Sequence, residues 1–212
     1  MLNAVEKVSR NIDDVKLVCV SKTYPIENIR SAMECGECCF GENRPQELRD
    51  KINELPDKKI EWHFIGNLQK NKVKYVVGKS FLIHSVNSLE IAMEINKRAE
   101  KLQIIQNILL EVNVSGELTK SGFEENQIYD VFHKIKELKN INLKGLMTMA
   151  PFTDDVQVVR NCFGKLRGVR DKINELDPNV RELSMGMSND YEIAIEEGAT
   201  LIRVGTDIFG IR

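Results

Sequence analysis

The sequence has little of what several specialised protein classes require. Its formal net charge is −2, so it carries no positive excess for nucleic acid or for an anionic membrane. No apolar run approaches the ~20 residues that a membrane-spanning helix needs. Residues 1–8 are amphipathic and lack the apolar block of a signal peptide. These absences predict a cytoplasmic protein that binds neither nucleic acid nor membranes.

Cysteine is also scarce, and its number, 5, is odd. Cys19 and Cys162 lie inside apolar patterns, which is typical of reduced, buried thiols. Cys35 and Cys38 form one C-x-x-C spacing, but a structural zinc site needs a second pair of ligands, and the sequence offers no such pair. We therefore expect thiols, without disulfides and without a metal site.

What the sequence does show is a steady alternation of strand-like and helix-like segments. Short apolar runs predict eight strands, over residues 17–22, 38–41, 62–66, 81–84, 107–114, 143–148, 182–184 and 200–204. Helical patterns occupy residues 2–12, 26–35, 45–55, 68–77, 88–99, 124–138, 155–175 and 188–198. Strict alternation predicts a parallel sheet, and eight repeats can close into a barrel. We predict an α/β fold, a single (β/α)8 barrel with an extra N-terminal helix. An open doubly wound sheet is the alternative, although no glycine fingerprint follows the first strand.

In such a barrel, the residues that follow the strands converge on one rim, where these folds place their chemistry. They are Lys22, Asn43, His63 with Gly66, His84 with Ser85, Asn113, Met147, Ser184 with Gly186, and Arg203 with Gly205 and Thr206. Lys22 ends the first strand, on the same face as Val18 and Val20. A lysine partly removed from water there can act as a nucleophilic amine. The alternative is a solvated lysine at a strand end.

Two glycine-containing turns near the end of the sequence predict an anion site. Ser184–Ser188 precedes a helix, and Val204–Thr206 follows the last strand. Barrels of this kind hold phosphate after strands seven and eight, where backbone N–H groups and helix N-termini face the ligand. Tight turns with a capping serine are the alternative. Because Asp190 and Glu192 would compete for the same N–H groups, they are expected to face away from the anion.

Arg203 shares a face with Leu201 and Gly205 by strand parity, so it is expected to point into the barrel. A buried arginine needs a partner, and an ion pair with Glu42 or Glu111 is one alternative. A lysine, a phosphate site and an inward arginine together suggest pyridoxal 5'-phosphate. The lysine would form an imine with its aldehyde, and the arginine would meet its ring nitrogen and keep it unprotonated.

The same residues fall within motifs of a known family. The sequence closely resembles the pyridoxal phosphate homeostasis proteins, which are similar to the N-terminal barrel of alanine racemase. The matching segments are residues 20–23, 40–43, 62–66, 68–72, 120–122, 145–147, 183–188 and 203–210. The sequence departs from the family pattern at Arg44-Pro45, Asn189 and Tyr191.

The resemblance implies a single barrel domain over residues 1–212 that holds pyridoxal 5'-phosphate as a Schiff base on Lys22. It implies that Arg203 faces the pyridine nitrogen and that Asn43 lies close to the ring. It also implies that Ser188, Gly205 and Thr206 surround the phosphate. The predicted cofactor-binding set is completed by His63, Met147, Ser184 and Met187.

The resemblance implies a carrier that acts in intracellular cofactor homeostasis and amino-acid balance. We expect a monomer, with pyridoxal-phosphate-dependent apoenzymes as candidate recipients. A racemase-like enzyme is the alternative, but racemisation needs a second acid/base opposite the lysine. In alanine racemase a C-terminal domain supplies it, whereas this sequence ends at Arg212; His63, His84 or Tyr24 would have to replace it. A lysine-dependent aldolase that binds a sugar phosphate is a third possibility. We favour binding and assign no catalytic residue.

Overall fold

A computed structural model describes residues 1–57, 59–117 and 121–210, and it confirms the predicted barrel. Its strands are β1 (Lys16–Val20), β2 (Cys39–Glu42), β3 (Glu61–Phe64), β4 (Leu82–Val86), β5 (Gln106–Asn113), β6 (Phe123–Glu124), β7 (Ile141–Met147), β8 (Glu182–Ser184) and β9 (Leu201–Val204). Its helices are α1 (Leu2–Lys7), α2 (Ile26–Glu34), α3 (Pro45–Glu54), α4 (Leu89–Lys101), α5 (Ile128–Lys136), α6 (Val156–Leu176), α7 (Tyr191–Glu196) and α8 (Thr206–Phe209). Short 3-10 helices cover Ile12–Asp14, Lys70–Tyr75 and Glu125–Gln127.

Eight of the strands form a closed parallel ring. Their hydrogen-bonded order is β4-β3-β2-β1-β9-β8-β7-β5, and pairing of β4 with β5 closes it. The two-residue strand β6 was not predicted, and it pairs with the carboxyl end of β5. Because β1 pairs directly with β9, the loops that follow the first and last strands lie side by side at the rim.

Apolar side chains fill two separate regions. The larger core packs the outer faces of the strands against the helices and includes the fully buried Phe40, Phe64 and Phe163. Burying one such ring stabilises the fold by about 1.5–3 kcal/mol. The smaller cluster lies inside the barrel and consists of Val18, Cys39, Leu82, Leu109, Met147 and Leu201. Met147, a predicted site residue, is therefore part of the apolar filling of the barrel.

Several predicted helices differ from the observed ones. Helix 2–12 was predicted too long, because Ser9 has a positive φ of 54° and Asn11 caps a separate 3-10 helix. Residues 68–77 were predicted as an α-helix, but Lys70–Tyr75 is a 3-10 helix. Residues 124–138 divide into the end of β6, a 3-10 helix and α5. These stretches have helical spacing of apolar residues, but local caps and turns divide or tighten the helices.

The predicted features outside the barrel have mixed outcomes. Ser88 caps α4, as expected, by accepting a hydrogen bond from the Ile91 N–H at 3.3 Å. The predicted cap at Ser188 is wrong, since α7 begins after Asp190. All five cysteines are thiols, three of them buried. Among the described helices, none combines the length and the apolar character that crossing a bilayer demands.

Gly145 tests the packing of the ring. A Cβ at this position would lie 2.0 Å from the Glu182 carbonyl oxygen on the neighbouring strand β8. Gly145→Ala should therefore lower the free energy of unfolding by at least about 2 kcal/mol, because the two backbones must move apart. Urea denaturation monitored by circular dichroism measures the change.

Gly168→Ala is the matched control. Gly168 is exposed within α6, and a Cβ there meets no atom within 4 Å. Alanine should raise the free energy of unfolding by about 0.5–1 kcal/mol, because it restricts the unfolded chain and favours helix. Equal effects of the two substitutions would contradict the tight packing of β7 on β8.

Candidate functional site

Lys22 was predicted as the last residue of the first strand, but β1 ends at Val20 and Lys22 lies half-buried in the loop that follows. The next residue, Thr23, has a φ of 65°, in the left-handed region that residues with a Cβ seldom adopt. Its N–H donates a hydrogen bond to Glu47 Oε1 on α3. The loop that carries Lys22 is therefore held in an unusual backbone conformation by a carboxylate from α3.

A buried ionic cluster, the Lys51 clamp (Lys51, Glu42 and Glu47), supports this loop from outside the barrel. Lys51 Nζ donates to Glu42 Oε1 at 2.7 Å, to Glu47 Oε1 at 2.8 Å and to the Ser21 carbonyl oxygen at 2.7 Å. The Ser21 hydroxyl also donates to Glu42 Oε1, at 2.6 Å. Burial raises the pKa of Glu42, and its bonds to Lys51 and Ser21 oppose that rise. Glu42 is thus committed to the clamp, and the alternative that it pairs with Arg203 is wrong.

Arg203 lies inside the barrel on β9, as strand parity predicted, and is only 5% exposed. Its Nη1 donates to Ser184 Oγ at 2.5 Å and its Nη2 to the Thr148 carbonyl oxygen at 3.0 Å. Burial lowers its pKa to about 10, while the carboxylates of Asp190 and Glu111 oppose that fall. The guanidinium therefore keeps its charge at neutral pH.

Two histidines continue this network across the barrel. His84 Nδ1 lies 2.8 Å from Ser184 Oγ, and His84 Nε2 lies 2.7 Å from His63 Nδ1. Since β4 and β8 are not neighbours, the bond from His84 to Ser184 crosses the interior. We call His63, His84 and Ser184 the histidine relay. His63 was predicted at the rim, but it lies within β3 and is completely buried, so it sits below the rim.

The relay ends near the amino ends of β2 and β3. His63 Nε2 lies 3.1 Å from Cys39 Sγ and 3.9 Å from Glu61 Oε2. These three donor types are ones that zinc accepts, and the ligand atoms lie within 4.8 Å of one another. The Lys16 ammonium, however, lies 2.7 Å from Glu61 Oε2 and already provides a cationic partner. We assign no metal to this position.

The two predicted anion-binding turns meet at the rim. Thr206 Oγ1 donates to Ser188 Oγ at 3.0 Å, which joins the turn after β8 to the turn after β9. A Cβ on Gly205 would lie 3.2 Å from the Val20 carbonyl oxygen, so this turn lies against the end of β1. Tyr24, two residues after Lys22, adds a bond from its hydroxyl to the Gly210 carbonyl oxygen at 2.5 Å.

Two acidic side chains at the start of α7 were expected to face away from an anion. Glu192 is exposed. The Asp190 carboxylate accepts a hydrogen bond from the Met187 N–H at 2.6 Å, and burial raises its pKa. Met187 itself is partly exposed at the rim, and this bond engages its N–H within the turn.

Asn43 follows β2 and is half-buried, and its side-chain oxygen, Oδ1, is a candidate ligand contact. Its Oδ1 is shielded from solvent and has no hydrogen-bond partner among the described residues. Its backbone is in close contact with the loop after β3, since a Cβ on Gly66 would lie 2.1 Å from the Asn43 carbonyl oxygen. A buried acceptor without a partner is costly, and a ligand that donates a hydrogen bond would remove that cost.

Sequence reasoning missed three parts of this arrangement. Glu111, buried on β5 and electrostatically coupled to Arg203, entered only as one alternative partner. His84 was recognised after a strand but was not included in the predicted set. Lys51 was not singled out within the predicted helix over residues 45–55. Strand parity was a usable signal for the first two residues, and helical spacing was one for Lys51, which lies three residues after Leu48 and four before Leu55, both buried.

Together these features define a class: a closed (β/α)8 barrel with a lysine after its first strand, an arginine inside its last, and hydroxyl-bearing turns beside both. Comparison with known proteins agrees. The family model described as alanine racemase, N-terminal domain, matches residues 2–212. The pyridoxal phosphate homeostasis protein of Aquifex aeolicus is 48% identical over 99% of this chain and 92% of its own.

Solved structures give the same result. PipY of Synechococcus elongatus with PLP bound is 33% identical, with a TM-score of 0.88 over 98% of this chain and 99% of its own. Alanine racemase of Clostridium difficile, at 16% identity, shares the fold, with a TM-score of 0.78 over all of this chain and 55% of its own. The chain therefore belongs to the alanine racemase N-terminal domain family and, within it, to the pyridoxal phosphate homeostasis proteins.

Lys51→Met tests the clamp. The substitution leaves the Glu42 carboxylate buried without its cation, so the free energy of unfolding should fall by about 3–5 kcal/mol. The control is Lys70→Met, which breaks an exposed ion pair with Glu90 and should leave the urea midpoint unchanged within error. Equal small effects of the two variants would show that the clamp contributes nothing to stability.

The buried histidines predict a pH dependence of stability. Burial lowers the pKa of both His63 and His84, so below a pH of about 6.5 the unfolded chain binds protons that the folded chain does not. Stability should therefore be greatest above that pH. As the pH falls below this value, the free energy of unfolding should decrease by about 1.4 kcal/mol per pH unit for each ring. The decrease should stop when the pH reaches the pKa of that ring in the folded protein. His84→Gln should reduce the slope of the free energy of unfolding against pH between pH 7 and 5. His133→Gln, at an exposed histidine, should leave the slope unchanged. Equal slopes for the two variants would contradict the assignment of the pH dependence to the buried rings.

Proposed function

We propose that this protein binds pyridoxal 5'-phosphate, holds it as a Schiff base on Lys22 and acts in intracellular cofactor homeostasis and amino-acid balance. One observation carries the proposal. The loop of Lys22 and the turns of Ser188 and Thr206 are neighbours at the rim, because β1 pairs with β9. An amine and an anion site are thus within one ligand's reach of each other.

The residues present fit the phosphate group. The hydroxyls of Ser188 and Thr206 lie together and are able to donate hydrogen bonds to phosphate oxygens. Gly205 lets the backbone come close to β1 without a side chain in the way. The Asp190 carboxylate was expected to face away, but it accepts from the Met187 N–H of this turn, so the phosphate would depend on the Ser188 and Thr206 hydroxyls and on other backbone N–H groups.

The residues also fit the ring. Arg203 has guanidinium N–H groups beyond those that Ser184 and Thr148 accept, so it can donate to a pyridine nitrogen. Because it stays charged, it does not give that nitrogen a proton. Asn43 Oδ1 offers a buried acceptor without a partner among the described residues. When bound, the cofactor supplies an aldehyde that condenses with an amine, with loss of water, and a ring that withdraws electrons.

The relatives support this role, through the name of the Aquifex aeolicus homologue and the PLP bound to PipY. We extend it to one barrel domain over residues 1–212, with Met147 and Met187 as apolar contacts of the bound ring. A cytoplasmic monomer that supplies apoenzymes is the form in which we expect this role to operate.

Binding is favoured over racemisation because the three side chains that would replace the second base have other partners. His63 and His84 bond to each other inside the barrel. The Tyr24 hydroxyl donates to the Gly210 carbonyl oxygen, and its ring packs on Phe209 at 4.9 Å. None of these contacts presents a proton acceptor opposite Lys22.

Spectroscopy and mass mapping test the proposal. Protein mixed with pyridoxal 5'-phosphate should turn yellow, and borohydride reduction should leave the pyridoxyl mass on the peptide that contains Lys22. Lys22→Ala should lose the colour, whereas Lys79→Ala, at an exposed lysine, should keep it. A protein that stays colourless and accepts a sugar phosphate would point to the aldolase. Sustained conversion of L- to D-amino acids that depends on Lys22 would point to the racemase.

A further inference from the structure

The barrel interior holds three polar side chains that are joined in one line: His63, His84 and Ser184. All three are completely buried, in an interior otherwise filled by the apolar cluster around Val18 and Leu109. Burying polar groups is costly unless each has a partner. Their arrangement in one continuous line, ending at Arg203, therefore calls for a physical reason.

The direction of the hydrogen bonds in this line can be worked out from Arg203. A guanidinium only donates, so Ser184 Oγ accepts from Arg203 and has its own hydroxyl proton to give. The nearest acceptor is His84 Nδ1, at 2.8 Å. A neutral His84 then carries its proton on Nε2 and donates to His63 Nδ1, at 2.7 Å.

His63 in turn carries its proton on Nε2, which faces Cys39 Sγ and the Glu61 carboxylate. In this order each ring nitrogen has a complementary partner, and the line ends toward a negative charge. The nearby His63, at 3.9 Å, and the Lys16 ammonium, at 2.7 Å, together lower the pKa of Glu61 to about 2 despite partial burial, so this end of the line is negatively charged.

The reverse order is less favourable at both ends. It would place both ring protons on Nδ1, and Ser184 Oγ would then accept from both His84 and Arg203. The serine proton would have no acceptor within the line. At the other end, the lone pair of His63 Nε2 would accept from the Cys39 thiol, at 3.1 Å, but it would also face the Glu61 carboxylate, which repels it.

We propose that the histidine relay is a proton-ordered positioning device, in which the Glu61 carboxylate at the base of the barrel fixes the orientation of Arg203 toward the cofactor ring. The part that concerns the cofactor rests on the function proposed above. His63, His84 and Ser184 are positioning residues, since they act through Arg203. The consequence is that a carboxylate next to Lys16, at the opposite end of the barrel from Lys22, influences cofactor binding.

The first experiment needs no cofactor. Long-range 1H–15N spectra of the labelled protein at pH 7.5 report which nitrogen of each ring carries the proton. The chain has 3 histidines, and the exposed His133 is an internal reference. Both His63 and His84 should be Nε2–H tautomers. Finding Nδ1–H on both rings would overturn the proposal directly.

Two substitutions separate the relay from ordinary packing. Glu61→Gln removes the negative charge, whereas Lys16→Met removes its ion-pair partner and keeps the charge; both break the same salt bridge. Glu61→Gln should produce a measurable Nδ1–H fraction on the rings, and Lys16→Met should not. Identical spectra for the two variants would show that Glu61 does not set the proton order.

The second experiment measures the effect on the cofactor. Glu61→Gln should weaken pyridoxal 5'-phosphate binding about five-fold and shift the absorption band of the bound cofactor, while Lys16→Met should do neither. Ser184→Ala should have the same effects, and Ser184→Thr, which restores a hydroxyl, should reverse them. Unchanged binding in Glu61→Gln overturns the relay but leaves the proposed function standing. Absence of binding in the unsubstituted protein overturns both.

Discussion

The pairing of β1 with β9 is the constraint on which the rest of this structure depends. Together with the pairing of β4 and β5 it closes the ring, and it places Val18 level with Arg203, so the chain's first and last strands share one hydrogen-bonded ladder. Residues separated by most of the sequence, Lys22 and Thr206, thereby become neighbours at the rim. Without this closure the amine and the hydroxyl-bearing turns would each be an ordinary loop, and no ligand would bridge them.

Two polar clusters flank β1, and both obey the same rule for buried charge. Outside the strand, Lys51 neutralises Glu42 and fills its remaining donors with Glu47 and the Ser21 carbonyl oxygen. Inside the barrel, Arg203 is satisfied by a hydroxyl and a carbonyl oxygen. Isolated buried charges are expensive, whereas charges with several hydrogen-bond partners are tolerated and strongly oriented. Hence both clusters fix position: the Lys51 clamp holds the loop of Lys22, and Ser184 with the Thr148 carbonyl oxygen holds the guanidinium.

The sequence predicted most of the fold because buried parallel strands are short apolar runs, and eight of them stand out. It also predicted the inward direction of Arg203, since alternation along a strand is independent of tertiary detail. It misplaced His63, because nothing in the run from Trp62 shows where the strand stops and the rim begins. It read Ser188 as a helix cap, although the hydroxyl accepts from Thr206, a partner on another turn. Both errors have the same cause, because the positions of His63 and Ser188 depend on contacts between segments that are distant in the sequence.

Burial changes along the barrel axis, from exposed or half-buried residues at the rim to completely buried residues in the histidine relay. Thr206 is exposed and Lys22 half-buried, so a ligand bound between them, as we propose, would exchange with solvent at the rim. The relay below it is completely buried, and its proton order is therefore protected from bulk water. Glu61 and Lys16, at the other end, are again partly exposed. The proposed ligand would therefore lie at one end of the barrel, while the groups that contact Arg203 lie in a dry interior, where hydrogen bonds are directional and strong because water does not compete for them.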